Sequence, residues 1–151
     1  MKSSLLAMSL AAALLAAGCT SPPTNSKSFG KSVSENPDHF RGEFISFVGD
    51  PLWVQPDSMG RTLIHIYDNQ THEFAVVTFP IRLSLDNFYP HDWTQFLGRV
   101  TGATTGTNPN GDTFSAIGVT GIAIRWKRGT EFNPADEAIF NQWMAGRLNL
   151  P

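Results

Sequence analysis

Four histidines, His39, His65, His72 and His91, are the side chains of this sequence best suited to hold a metal or move a proton. A zinc site needs three or four ligands converging in space, and no pair of these histidines has a tight ligand spacing. His65 and His72 flank a turn between two strand-like segments and could meet across a ladder. The simpler reading puts both on the outer face of a half-exposed sheet. His91-Asp92, beside Pro90, reads as loop. Nucleophilic catalysis finds no support, since there is no Gly-x-Ser-x-Gly elbow, no glycine-rich phosphate loop, and the acidic residues are scattered singly. Asp50, Asp68 and Arg61 could be arranged as a metal-dependent nuclease site, but nothing in their spacing requires it. Arg125, Trp126, Lys127 and Arg128 form the one basic cluster. An aromatic ring among cations can stack on a base or a sugar. The preferred reading is a strand end, with Trp126 covering the bottom of a barrel and the cations in water. No catalytic residue, metal or cofactor is therefore expected.

The remaining reactive group is Cys19, the single cysteine. A lone cysteine makes no intramolecular disulfide. Ahead of it stand a positive residue, Lys2, an apolar run over residues 5–17 broken only by Ser9, and the small residues Ala16, Ala17 and Gly18. That is the layout of an export signal, and the run is shorter than the roughly 20 residues that span a bilayer. The segment resembles the lipobox of bacterial lipoproteins, a leucine-small-small-cysteine pattern, with Ala16 where the pattern has leucine and Leu15 one step earlier. The resemblance implies cleavage of residues 1–18 and a diacylglyceryl thioether on Cys19. In that family an aspartate after the cysteine marks inner-membrane retention. Thr20 in its place implies passage to the outer membrane.

Removing residues 1–18 takes away Lys2 and no acid, so the formal charge moves from -2 to -3. Nothing in that balance resembles the clustered basic excess of a nucleic-acid binder, and no nucleic-acid partner is expected. Residues 19–36 are rich in Ser, Thr, Pro, Asn and Lys, with only Phe29 and Val33 available for burial. Such a segment cannot offset its ordering entropy and is expected to be a flexible tether. Eleven phenylalanines and four tryptophans supply a core without disulfides.

The elements that would position these residues are strands. Residues 43–48 (EFISFV) and 52–55 (LWVQ) read as one strand with a bend at Gly49-Asp50-Pro51. Residues 61–67 (RTLIHIY) alternate well, with Leu63, His65 and Tyr67 facing one way and Thr62, Ile64 and Ile66 the other. Residues 72–79, 95–101 and 113–127 complete five strands. Residues 80–94 are irregular, with a short helical turn at most. Asn110-Gly111 suits a hairpin tip. Asn133 and Pro134 open a C-terminal helix, as N-cap and first-turn residue. Its stripe of Ala135, Ile139, Phe140, Trp143 and Met144 is expected to pack on the barrel. A long bent first strand, an irregular third-to-fourth connection and a fourth-fifth hairpin predict a mainly β, five-stranded OB-like barrel over residues 37–151.

The order of residues 98–102 (GRVTG), Asn110-Gly111, Phe114 and Trp126 resembles the Slp family of outer-membrane lipoproteins. Residues 40–126 also resemble small bacterial OB domains related to the anticodon-binding type. Slp membership would imply an envelope lipoprotein associated with stress or starvation, and it transfers no catalytic residue. OB barrels bind oligomers on the face of their second and third strands. Arg61, Leu63, His65, Tyr67, Glu73 and Ala75 are the residues expected there, with an envelope glycan or a protein as partner. The expectation is a lipid-anchored, non-enzymatic binding or structural module. The alternatives are a subunit of a larger envelope assembly docking through the C-terminal helix and, least favoured, a metal-dependent hydrolase.

Overall fold

The computed structural model describes residues 31–89 and 93–150. The export segment, Cys19, residues 20–30, and His91 with Asp92 lie outside the described residues.

A strand with alternating apolar residues can bury one face and leave the other in water. β2 (Thr62–Asp68) buries Ile64 and Ile66 this way, and β3 (Glu73–Phe79) buries Ala75, Val77 and Phe79. β1 (Phe44–Pro56) serves two neighbours. Its first half pairs antiparallel with β4 (Thr94–Thr107), and its second half with β2. The register shifts between Pro51 and Trp53, where the expected bend falls. A bulge of this kind twists a strand enough to turn from one partner to the next. β4 forms a long hairpin with β5 (Thr113–Trp126), and β5 meets β3 in parallel, from Ala75 opposite Ile117 to Thr78 opposite Thr120. The ring closes in the order β1-β2-β3-β5-β4-β1, which is the OB barrel.

The barrel interior holds Phe47 stacked on Phe96 at 5.3 Å, with Ile45, Ile64, Ile66, Val77, Phe79 and Ile124 around them. Leu83 closes one end, its backbone N–H donating to Thr62 Oγ1 at 2.9 Å. The irregular connection it belongs to has no helical turn among its described residues; Leu85 and Asn87 take positive φ instead. Glu131 holds this connection by accepting from the backbone N–H groups of Ser84 and Leu85.

A short helix, α1 (Lys31–Glu35), places Val33 in the same core at 3 % exposure. Residues 31–36 fall within the expected tether, and Val33 of that stretch is buried against the barrel core. The following turn (Pro37–Phe40) lies on β4, where Asp38 accepts from Ala103 N at 3.1 Å and pairs with Arg41 at 2.6 Å. The Ala103 N–H and then Arg41 hold the Asp38 carboxyl below the usual carboxylate range. Gly102 beneath them has φ +107, and a Cβ there would collide with both side chains.

A sixth strand, β6 (Gly129–Phe132), adds to the edge of β5. Four residues are too few for alternation to register in sequence, which is why five strands were expected. β6 delivers Asn133, which accepts from Ala135 N and opens a 3-10 turn leading into α2 (Glu137–Met144). Ile139, Phe140 and Trp143 pack with Leu148 and Leu150 over Leu97, Ile122 and Ala123 on the barrel exterior. Phe140 stacks on Phe132 at 4.1 Å, and Trp143 Nε1 donates to Ser46 Oγ at 3.0 Å. Of the expected stripe, Ala135 and Met144 are exposed.

Candidate ligand-binding face

The outer face of β2 carries Leu63, His65 and Tyr67. Antiparallel partners share a face, and the turn between β2 and β3 pairs Leu63 with Thr78, His65 with Val76 and Tyr67 with Phe74. The outer residues of β3 are therefore Phe74, Val76 and Thr78. Glu73 stands opposite Asp68, and Ala75 is fully buried opposite Ile66. The expectation that Glu73 and Ala75 share the face of His65 is corrected by this register. Odd positions of β2 meet even positions of β3, and a one-residue difference moves every side chain to the other side.

Two rings that the sequence did not assign to the face complete it. Trp53, just past the bulge in β1, is the register partner of His65 and stacks on it at 4.6 Å. Phe114, at the start of β5, lies 6.0 Å from His65, 5.9 Å from Trp53 and 4.8 Å from Phe74. Phe114 is placed by Gly106, its partner on β4; a side chain there would occupy the position of the Phe114 ring. Phe74 in turn contacts Tyr67 at 5.1 Å. Trp53, Tyr67, Phe74 and Phe114 are each half-buried, so their rings form a continuous, partly exposed aromatic surface. The signal for Trp53 was present in the LWVQ segment, but the bulge hides which way its side chain points.

His65 lies beneath this surface at 3 % exposure. Burial pushes its imidazole below the ordinary histidine value, so the ring is neutral at pH 7. Its Nδ1 and the Trp53 Nε1 are both buried without a hydrogen-bond partner. His72 does not meet it across the ladder; His72 Nδ1 lies 2.9 Å from the Tyr67 hydroxyl. Arg61 is held at the β1–β2 turn by Asp57, with Nε 2.5 Å from Oδ2. Asp57 also accepts from the backbone N–H groups of Arg61 and Met59 at 2.9 Å. The Arg61 N–H leads the interactions that hold this carboxyl below the usual range.

The other sequence candidates are not brought together. Asp68 is buried and caps the β2–β3 turn through Gln70 N, Asp50 accepts from Asn69 Nδ2, and Arg61 lies at the opposite end of β2. Among the described residues no three His, Cys, Asp or Glu side chains cluster as a metal site. The basic cluster divides. Trp126 is 4 % exposed and packs edge-on to Phe88, so it offers no stacking surface. Arg125 lies 5.8 Å from the Trp93 ring centre and Arg128 4.6 Å from that of Tyr89, while Lys127 is exposed.

No protein family and no curated protein matches this sequence. Among solved structures, the chain is similar to a mitochondrial single-stranded DNA-binding protein from S. cerevisiae, Rim1. The identity is 9 %, the TM-score 0.39, and the match covers 56 % of this chain and 92 % of that one. It is also similar to a Replication Protein A heterotrimer bound to single-stranded DNA, with 10 % identity, a TM-score of 0.34, and 68 % and 66 % coverage. The likeness is one of fold. Those proteins bind single-stranded DNA, and the expectation that nucleic acid is excluded as a partner is not retained. Net charge over a whole chain does not decide what one face of an OB barrel accepts.

Proposed function

We propose that this chain is a lipid-anchored envelope protein of the outer membrane whose OB barrel is a non-enzymatic binding module. The carrying observation is the aromatic surface of Trp53, Tyr67, Phe74 and Phe114 over β1, β2, β3 and β5. Half-buried rings packed against one another at tilted and perpendicular angles are pre-ordered, so a ligand with flat apolar faces stacks on them at little entropic cost. The polar groups at their margin are the Tyr67 hydroxyl, beside His72, and Thr78, while His65 is buried beneath the rings and Arg61 is occupied by Asp57. Neutral hydroxyls beside stacking rings suit the alternating CH and OH surfaces of a pyranose, and an envelope glycan is the ligand class we favour. The alternative of docking through the C-terminal helix has less behind it, because Ile139, Phe140 and Trp143 already pack on the chain's own barrel.

Isothermal titration of the protein with soluble glycan-strand fragments and, separately, with oligodeoxythymidine tests this reading. Saturable glycan binding is expected, weakened about tenfold or more in Trp53→Ala and Phe114→Ala, since one stacked ring contributes roughly 1–3 kcal/mol and about 1.4 kcal/mol is tenfold. Binding of oligodeoxythymidine alone would replace the glycan with single-stranded nucleic acid. Binding that survives both substitutions would move the site off this face.

A further inference from the structure

We propose that the cleft between the barrel and the C-terminal segment binds a small carboxylate with an apolar body and a neutral N–H or O–H donor on the carbon beside the carboxylate. The cavity measures about 220 Å³, with Gln95 and Arg125 on its barrel side and Trp143, Met144, Leu148 and Leu150 opposite. Gln95 on β4 and Arg125 on β5 are register partners, so an amide and a guanidinium stand side by side on the sheet.

Gln95 is 4 % exposed. Its Nε2 donates to Ser46 Oγ at 3.1 Å, and the same oxygen accepts from Trp143 Nε1 at 3.0 Å. Those bonds fix the amide and leave its Oε1 buried without a partner. Buried polar atoms in folded proteins are otherwise paired, so this one calls for a donor. Arg125 is half-buried, and among the described residues no carboxylate lies within ion-pair distance of it. A guanidinium presents a fork of N–H groups that matches a carboxylate. Among the described residues no acidic side chain lines the cavity to balance an ammonium, so the donor is a neutral one. An N-acylated apolar amino acid has this arrangement, either free or as the last residue of a peptide. At ~30 Å³ per water the space equals about seven waters, which accommodates a side chain of leucine size against Met144 and the two leucines. The cleft shares no residue with the aromatic face and stands independently of it.

The test is isothermal titration of the full chain with N-acetyl-leucine. Saturable binding is expected, at least about tenfold weaker for N-acetyl-leucinamide, which keeps the donor and side chain but lacks the carboxylate. Arg125→Gln should cause the same loss. Leu148→Trp, which fills the cleft, should abolish binding while the urea midpoint holds. A short peptide ending in leucine distinguishes the sources: tighter binding assigns the cleft to peptide termini, exclusion assigns it to the free acid. Absence of saturable heat at millimolar ligand, equal binding of acid and amide, or undiminished binding by Arg125→Gln would each overturn the proposal.

Discussion

His65 is a titratable ring shut away from water by Trp53 and Phe114. Its folded-state value is depressed by burial. The unfolded chain takes up a proton as pH falls through about 6.5 while the folded chain does not. The unfolded state then binds more protons, so stability rises with pH in that window and is lost on acidification from about 6.5 toward the depressed folded value. Above 6.5 both states are neutral and the effect vanishes. Urea midpoints between pH 7.5 and about 5 should fall in the wild type and fall less in His65→Phe. Parallel curves would place the acid sensitivity elsewhere. Asp38 and Asp57 act in the same sense at lower pH: their depressed values add stability that is present above the ordinary carboxylate range and is lost in stronger acid. A second prediction concerns Gly106. Alanine there would drive the Phe114 ring off the face, so glycan binding should weaken as in Phe114→Ala while the melting curve changes little. Alternation on β2 made His65 and Tyr67 legible in the sequence. Phe74, Trp53 and Phe114 were not, because they depend on a register, a bulge and a strand nearly fifty residues away from His65.

At the scale of elements, two terminal pieces stabilise a barrel that lacks disulfides. Trp143 is half-buried, spans from α2 to the sheet and donates to Ser46. Trp143→Ala should lower the urea stability by about 2–4 kcal/mol, short of the upper values for a fully buried tryptophan. An unchanged midpoint would mean that α2 contributes nothing to the fold and is free to dock elsewhere. Val33 is the corresponding test at the other end. Val33→Ala removes two methylene equivalents from a buried site and should cost about 1.5–3 kcal/mol. Chemical or thermal denaturation within error of wild type would return residues 31–36 to the tether. The C-terminal helix could be read in advance because Asn133 and Pro134 mark a helix start by local chemistry alone. Val33 and β6 could not: a single apolar residue in a polar segment and a four-residue edge strand acquire their roles only from the barrel they meet.

For the molecule as a whole, the proposed anchoring raises the question of how the barrel would be held at a surface. Among the described residues no helix is long and apolar enough to cross a membrane. Attachment in our reading rests on Cys19, whose sulfur alone in this sequence can take a thioether-linked diacylglycerol. Each buried methylene contributes roughly 0.8 kcal/mol; one acyl chain gives marginal binding, and two or more hold a protein for long times. Residues 20–30 reach at most ~40 Å even fully extended, so a barrel anchored through Cys19 stays close to the bilayer, where an insoluble envelope polymer could meet the aromatic face. Cys19→Ser replaces the sulfur with a hydroxyl that the thioether chemistry does not use. Wild-type chain should sediment with membranes and incorporate labelled palmitate. The serine variant should do neither, and its soluble domain should keep the wild-type urea midpoint, because the substituted position precedes Val33, the first buried residue among those described, by fourteen residues. A serine variant that still sediments with membranes, or still incorporates palmitate, would separate this protein from the lipoproteins and leave its barrel to find the envelope by binding alone.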